Sequence, residues 1–381
     1  MTLDLDGIRA QFPGLATDWA LCDNAGGSQI LGRAADRVHA FLVGSNVQLG
    51  GAYALSELAG ERVREGSRAL AAQIGAADPS ELVLGTSTTQ LLANLALAMS
   101  FSPGDEVIVT DCDHESNIGP WRRLEARGVV VKTWSVDRES ATLRQDELVP
   151  LLGPRTRLVC FTHVSNILGA VNDVAALTAL VHAHGAQVCV DGVAYAPHRK
   201  LDVAAWDVDY YVFSLYKVYG PHLAALYGKR KRLLRLASLN HFFIPDDDLP
   251  YKLQPGSVPY ELCHALPAVC EYLDALPFSA VKTHEARLTT RLTTWLRERR
   301  GVRLVGRAEV PTVSFTVDGV AAGEIPARVA RHQVGIKSGH FYAKRLLDGL
   351  GLPGVVRASL VHYNTVGEVD RLIAALDEAL P

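Results

Sequence analysis

Two residues of the chain have types and positions that suit one kind of chemistry. Lys217 follows the apolar run 210–213, and Asp191 ends the apolar run 188–191. A lysine amine can form a Schiff base with the aldehyde of pyridoxal phosphate (PLP), and a carboxylate can keep the pyridine nitrogen of that cofactor protonated. Both residues follow predicted strands, and ligands of α/β proteins bind at the carboxyl ends of parallel strands. The pair therefore predicts a PLP site.

Each of these two residues also has an ordinary interpretation. A lysine after a strand is usually a surface residue, and an aspartate at the end of a strand often caps a helix or forms a turn. The PLP hypothesis therefore depends on polar residues that follow the other predicted strands.

One of these polar segments precedes a predicted helix. Ser87 and Thr88 follow the short run 82–84 and open a helix-like segment over 86–100. The free N–H groups and the dipole at a helix N-terminus favour a phosphate. An ordinary helix cap is the alternative interpretation.

A histidine and an asparagine follow two further predicted strands. His114 comes after the strand-like run 106–110 and could stack on a pyridine ring or transfer a proton. Its acidic neighbours match no common ligand spacing, so no metal site is predicted. Asn166 comes after the run 158–162 and could bind a ring hydroxyl or a substrate, or only shape a turn.

An arginine near the C-terminus could bind the carboxylate of an amino acid. Arg357 lies in the strand-like run 355–360. A guanidinium presents a planar fork that pairs with a carboxylate through two hydrogen bonds. An ordinary strand arginine is the alternative.

Composition limits the classes of protein that fit. The chain has 381 residues, which suggests two domains, and its net charge of −3 offers no basic surface for nucleic acid. No run approaches a membrane span, and residues 1–6 lack the pattern of a signal peptide. The six cysteines show neither CxxC pairs nor metal spacing. These features predict a cytoplasmic protein without disulfides.

The order of the predicted elements indicates the fold class. Strand-like and helix-like segments alternate between residues 82 and 227, with strands predicted over 129–131 and 210–214 among them. This order predicts βαβ crossovers and an α/β fold with a mostly parallel sheet. After about residue 235, two long helices precede strands and helices of a predicted α+β unit. Its elements are helices over 262–276, 280–299, 321–332 and 366–380, and strands over 302–305, 312–317 and 355–360.

Taken together, the motifs resemble the class V PLP enzymes of the aspartate-aminotransferase fold (PLP fold type I). They are most similar to the cysteine desulfurase and selenocysteine lyase group, from the segment 21–27 to the segment 357–365. The resemblance implies a large PLP-binding domain over 15–240 with a seven-stranded type of sheet. It also implies a small domain made of 1–14 and 241–381.

The resemblance also implies roles for individual residues. Lys217, His114 and Asp191 are the implied catalytic residues, with His114 stacked on the ring. Ser257 would reach the phosphate of a neighbouring subunit, which implies a homodimer with shared sites. The implied cofactor-binding residues are Ser87, Thr88, His114, Asn166, Asp191, Ser214, Tyr216, Lys217 and Ser257, and the implied substrate-binding residues are Arg357, Asn166 and Tyr342. Tyr216 replaces a phosphate-binding histidine that is frequent in relatives.

Two positions depart from the pattern of the group. The desulfurases carry a persulfide-forming cysteine in the loop that here spans 337–343, and Tyr342 stands in its place. A phenol cannot form a persulfide, although a cysteine from elsewhere in the fold stays possible. Relatives often place glutamine three residues after the aspartate, where this chain has Ala194, so the surroundings of the cofactor's ring oxygen differ.

These features lead to a functional hypothesis. The chain is predicted to act on an amino acid through an external aldimine and a quinonoid, as a desulfurase-like β-elimination lyase that breaks a C–S bond without a persulfide step. A class V aminotransferase, or another reaction at Cα such as racemisation or C–C bond formation, is the alternative. A PLP-binding sensor without turnover is a third interpretation, disfavoured because no DNA-binding module precedes the domain.

Overall fold

The structure, a computed structural model, describes residues 3–380. Residues 1, 2 and 381 lie outside the described part. They are the two ends of the predicted small domain, and residues 1 and 2 also belong to the segment 1–6 that lacks the pattern of a signal peptide. The strands are β1 (Ala20–Leu21), β2 (Leu82–Gly85), β3 (Glu106–Thr110), β4 (Val130–Trp134), β5 (Thr156–Thr162), β6 (Gln187–Asp191), β7 (Tyr210–Ser214), β8 (Ala224–Gly228), β9 (Val302–Val305), β10 (Thr312–Val317), β11 (Val334–Gly335), β12 (Lys337–Gly339) and β13 (Val355–Ser359). The helices are α1 (Leu5–Arg9), α2 (Gly32–Gly44), α3 (Ala54–Ile74), α4 (Thr88–Ala98), α5 (Gly119–Arg122), α6 (Gln145–Leu148), α7 (Val174–Ala183), α8 (Arg230–Leu233), α9 (Tyr260–Ala275), α10 (Phe278–Arg297), α11 (Ile325–Val329), α12 (Lys344–Gly349) and α13 (Val366–Ala379).

A seven-stranded sheet forms the centre of the fold. Its strand order is β2-β8-β7-β6-β5-β3-β4, and only β8 runs antiparallel to its neighbours. Every residue of β6 except its first is buried, as are all residues of β7 and β8. Strands covered on both faces read as continuous apolar runs, which is why the sequence predicts them well. The predicted α/β fold with a mostly parallel sheet is confirmed.

The topology brings several strand ends to one edge of this sheet. Strands β3, β5, β6 and β7 are parallel, so their carboxyl ends lie on the same side. Strand β2 has the same direction as β7, because both are antiparallel to β8. The last residues of these five strands and the loops that follow them carry the predicted cofactor-binding residues up to Lys217. These residues therefore meet at this edge.

A second sheet is built from the C-terminal part of the chain. Its order is β12-β13-β10-β9, and neighbouring strands are antiparallel. One of its faces packs on α10 and α13, through leucines such as Leu292 and Leu372. The short β1 pairs with β11 of the same region, so the N-terminal segment is attached to it. The domain bounds given by the resemblance stay a prediction.

Helices α2 and α3 lie outside the predicted set, and the structure also corrects one predicted helix. Helix α9 packs against α2 and α3. A Cβ on Gly66 in α3 would lie 2.1 Å from the carbonyl oxygen of Cys263 in α9, so this close approach requires glycine. The prediction of a single helix over 321–332 is wrong: α11 is shorter, with one 3₁₀ turn before it and one 3₁₀ turn after it. Pro326 explains the first break, because proline cannot continue a helix from the preceding turn.

None of the helices within residues 3–380 has both the length and the apolar composition that crossing a bilayer requires.

Candidate active site

A cavity of about 480 Å³ lies at the edge of the seven-stranded sheet where the strand ends meet. It contains most of the residues that the sequence predicted for a site. Those that line it are Ser87, Thr88, His114, Asn166, Asp191, Ser214, Tyr216, Lys217 and Tyr342. Arg357 and Ser257 are not part of the lining.

Lys217 and Asp191 reach this cavity from neighbouring strands. Asp191 is the last residue of β6, and Lys217 lies in the short turn that follows β7. Asp191 is buried, and its Oδ1 accepts a hydrogen bond of 2.9 Å from the backbone N–H of Val193. A Cβ on Gly192 would lie 2.1 Å from the ring of Tyr211, so glycine is needed to pack this strand end.

The pKa values of Lys217 and Asp191 are shifted by their surroundings. Burial, helped by the positive charge of Arg357, lowers the pKa of Lys217 to about 8. Burial raises the pKa of Asp191 to about 6. At pH 7 roughly a tenth of the Lys217 amines are therefore neutral, and attack on an aldehyde requires this neutral form. Asp191 stays mostly anionic above pH 6.

His114 is held over the cavity by a buried carboxylate. The side chain of the preceding Asp113 accepts hydrogen bonds from the backbone N–H of Thr162 at 2.9 Å and from Asn117 Nδ2 at 2.6 Å. These bonds connect the loop after β3 to β5 and thereby fix the backbone position of His114. Burial raises the pKa of Asp113 to about 7.

The protonation of His114 favours one of its two predicted roles. Burial, with the nearby charge of Lys217, lowers the pKa of His114 to about 4. Its Nδ1 accepts from the backbone N–H of Ser116 at 3.1 Å, so the neutral ring carries its proton on Nε2. A neutral imidazole suits stacking on an aromatic ring, whereas proton transfer near pH 7 calls for a higher pKa.

The start of α4 provides a place for an anion. Ser87 is the N-cap of this helix, and its hydroxyl accepts from the backbone N–H of Gln90 at 3.2 Å. The cap interpretation and the phosphate interpretation therefore apply to the same residue. Ser214 and Tyr216 line the cavity as well, and the ring of Tyr216 stacks on His222 with centroids 4.7 Å apart.

Arg357 approaches the cavity from the second sheet but stays behind its wall. It is almost fully buried, and its Nη1 donates to the carbonyl oxygen of Asn166 at 3.1 Å. Its Nη2 lies 3.1 Å from Asp23 Oδ1 in an ion pair. Among residues 3–380, neither the Nε of Arg357 nor the Oδ1 of Asn166 has a hydrogen-bond partner. Two buried polar atoms beside the cavity are thus available to a ligand.

Ser257 does not line the Lys217 cavity in this single chain. It lines a separate cavity of about 120 Å³, together with Thr86 and Gln90 next to the start of α4. The predicted contact with a neighbouring subunit stays a prediction.

Several lining residues were not predicted from the sequence. Thr162 is the last residue of β5, so the rule on strand ends could have found it. Arg123 lies at the cavity as well, but nothing in its local pattern separates it from other surface arginines. Asp23, the ionic partner of Arg357, lies in the segment 21–27 and could have been found from that motif.

The comparisons with known proteins decide the family. Residues 20–372 match the family described as Aminotransferase class-V. The chain belongs to this family. Within it, the chain is similar to the cysteine desulfurase-like group, as the motifs indicated, and it is a PLP-dependent enzyme.

Three relatives illustrate the similarity. The Aminotransferase-like protein FGM3 of Gibberella zeae is 43% identical, with 100% of this chain and 99% of that protein covered. The Cysteine desulfurase-like protein ustD of Aspergillus flavus is 34% identical, with 99% and 90% covered. The crystal structure of the cysteine desulfurase CsdA from Escherichia coli has a TM-score of 0.91 and 26% identity, with 100% and 99% covered.

The cavity of this class V family member fits PLP. It offers an amine, a carboxylate, a neutral aromatic ring and a helix start that favours an anion, all within one space. The unpartnered Oδ1 of Asn166 adds a polar atom that a ligand can use. When bound, the cofactor supplies an electron sink for negative charge that develops at the substrate Cα. Lys217, Asp191, His114 and the start of α4 are the residues that would hold it.

The lowered pKa of Lys217 leads to a test of the site's electrostatics. Uptake of PLP by the apoprotein requires the neutral amine, so its rate should rise with pH around a midpoint near 8. Arg357 favours the neutral amine, so Arg357→Gln should move this midpoint upward. Asp191 favours the charged amine, so Asp191→Asn should move it downward. Stopped-flow absorbance of PLP binding measures both midpoints.

A surface arginine serves as the control for this experiment. Arg287→Gln on α10 removes an exposed charge that does not line the cavity, and its midpoint should equal that of the wild type. Shifts of the same sign in the two site variants would contradict the electrostatic assignment.

Proposed function

We propose that the chain is a lyase that releases the β-substituent of a cysteine-type amino acid without a persulfide step. The observation that carries this proposal is the position of Tyr342. It lines the Lys217 cavity in the loop where the similar desulfurases carry their reactive cysteine. Its ring lies 5.1 Å from that of His114, between centroids.

The cysteines support the absence of a persulfide step. All six are buried, and none of them belongs to the cavity lining within residues 3–380. Cys112 is closest in sequence to a site loop, and burial raises its pKa well above the ordinary value. Nucleophilic attack on sulfur requires a thiolate, which such burial disfavours.

The positions of the side chains at or beside the cavity support the proposed roles. Lys217 is the covalent anchor of the cofactor, and its released Nζ takes the proton from the substrate Cα. Asp191 keeps the ring nitrogen protonated, and His114 covers the ring. Arg357 and Asn166 hold the substrate carboxylate.

The proposed reaction balances without a further reactant except water. The Cα–H bond breaks and its proton goes to Lys217 Nζ, while the Cβ–S bond breaks and its electron pair leaves with sulfur. The remaining carbon skeleton is an enamine that water hydrolyses. Cysteine and water therefore give hydrogen sulfide, pyruvate and ammonium.

Product analysis tests this proposal. The holoenzyme should form pyruvate and sulfide in equal amounts from L-cysteine, or pyruvate and methanethiol from S-methylcysteine. Alanine as the carbon product would show a desulfurase reaction instead. Tyr342→Phe should keep the lyase reaction, and Tyr342→Cys should add alanine formation if the loop is otherwise competent.

A second candidate is an aminotransferase or another reaction at Cα. The relative in Gibberella zeae, which is 43% identical over its full length, carries the name aminotransferase-like. Ala194 also stands where many relatives have a glutamine, so the surroundings of the cofactor's ring oxygen would differ from those in the desulfurases. Formation of a keto acid together with the pyridoxamine form of the enzyme would favour this candidate over the lyase.

A homodimer with shared sites is part of the proposal. The segment that leads to Ser257 exposes aromatic side chains: Phe242 is 100% and Phe243 is 66% exposed. Adjacent apolar side chains of this size usually mark an interaction surface. Sedimentation of the holoenzyme should give about twice the chain mass of 41.2 kDa. A monomeric mass would contradict the dimer without affecting the reaction.

A further inference from the structure

The guanidinium of Arg357 is fixed from three directions. Asp23 and the carbonyl oxygen of Asn166 take one N–H group each, both at 3.1 Å. The ring of Phe341 covers one face of the guanidinium, with 3.9 Å between its centroid and Arg357 Cζ. A cation stacked on an aromatic ring at this distance is attracted by the ring's quadrupole.

Phe341 also contacts the second proposed carboxylate ligand. Its backbone carbonyl accepts a hydrogen bond of 2.9 Å from Asn166 Nδ2. One residue therefore touches both Arg357, through its ring, and Asn166, through its main chain. It does so from the loop between β12 and α12, which is continuous with Tyr342.

The backbone of this loop adopts an uncommon conformation. Phe341 has φ +46° and Tyr342 has φ +58°, and two consecutive aromatic residues rarely adopt the left-handed region. The carbonyl of Tyr342 accepts from the backbone N–H of Glu115 at 2.8 Å, and Arg345 forms two hydrogen bonds with the Glu115 carboxylate. Such conformations persist where surrounding contacts impose them, and they are frequent at functional sites.

We propose that Phe341 is a positioning residue for the substrate carboxylate, acting through Arg357 and Asn166. This inference rests on the proposed carboxylate role of those two residues. The Phe341 ring covers a face of the guanidinium, whereas a carboxylate pairs with an edge in its plane, so ring and substrate do not compete. The unpartnered Nε of Arg357 belongs to such an edge. The ring holds the plane of the guanidinium and keeps water from one side of it.

A binding experiment with two amines separates this role from a general one. L-Alanine has a carboxylate and no β leaving group, and ethylamine lacks the carboxylate. Each is titrated into the holoenzyme, and the change in visible absorbance as the added amine displaces Lys217 gives a dissociation constant. For Phe341→Leu we expect about fivefold weaker binding of L-alanine and unchanged binding of ethylamine.

Three further variants control for loss of fold. Phe341→Tyr and Phe341→Trp keep an aromatic face and should bind L-alanine within about twofold of the wild type. Phe101→Leu changes a half-buried phenylalanine that packs on another core cluster and should bind both amines normally. The rise in melting temperature caused by L-alanine gives an independent readout, and it should be smaller in Phe341→Leu alone.

The outcomes are distinguishable. Equal weakening of both amines in Phe341→Leu would show a structural role only and overturn the inference. Unchanged binding would overturn it as well, and tighter binding of L-alanine would show that the ring instead shields Arg357 from the substrate. A wild-type holoenzyme that responds to neither amine would overturn the proposed function together with the inference.

Discussion

Replacing Lys217 with alanine should remove the visible absorbance of the bound cofactor and lower turnover by at least about 10³-fold. Lys217 is half-buried and lines the cavity, and desolvation lowers its pKa to about 8. Both proposed tasks, holding the cofactor covalently and accepting the Cα proton, require this one amine. Absorbance spectra and steady-state rates of the purified variant measure the two losses.

Two controls accompany the lysine experiment. Lys282→Ala removes an exposed lysine of α10 and should change neither spectrum nor rate. Borohydride treatment of the wild-type holoenzyme should fix the cofactor on the peptide that contains Lys217, as seen by mass spectrometry. A variant that keeps its visible absorbance, or an adduct on a different lysine, would refute the assignment.

The buried strands could be predicted from the sequence because burial on both faces leaves a simple apolar pattern. Strand β3 was predicted at its observed bounds, and β7 likewise. Strand β4 was predicted over 129–131 but extends to Trp134. It is an edge strand paired only with β3, so polar residues such as Lys132 can occupy it, and a search for apolar runs ends too early.

The site was predictable to the extent that it depends on strand ends. Lys217, His114 and Asn166 each follow a strand of one sheet, and Asp191 ends another strand of it. The local pattern together with the parallel topology brings them to one edge. Their roles remain proposals, although their arrangement in one cavity was foreseen.

Contacts between distant segments could not be predicted from the sequence in the same way. Arg357 meets Asp23 and Phe341 only because β13, the N-terminal segment and the loop after β12 converge, and no local pattern encodes that convergence. The position of Arg357 behind the cavity wall, rather than on it, was likewise unforeseen. Side-chain packing of this kind depends on the tertiary structure as a whole.

Replacing Asp191 with asparagine should lower kcat by about 10³-fold while the protein still takes up PLP. Asparagine has nearly the same shape, and its oxygen can accept the hydrogen bond that Asp191 Oδ1 accepts from Val193. What the variant loses is the negative charge that keeps the ring nitrogen protonated. Since Lys217 and the start of α4 are unchanged, cofactor binding should suffer far less than turnover.

A surface aspartate whose Oδ1 also accepts a hydrogen bond from a nearby backbone N–H provides the matched control. Asp202 Oδ1 accepts from the backbone N–H of Ala205 at 2.9 Å, and Asp202 is exposed, so Asp202→Asn should retain full activity. Cofactor content by absorbance and kcat by product formation separate binding from catalysis. An Asp191→Asn enzyme with kcat within a few-fold of the wild type would show that the reaction does not need the charge, and would favour chemistry in which the ring nitrogen stays unprotonated.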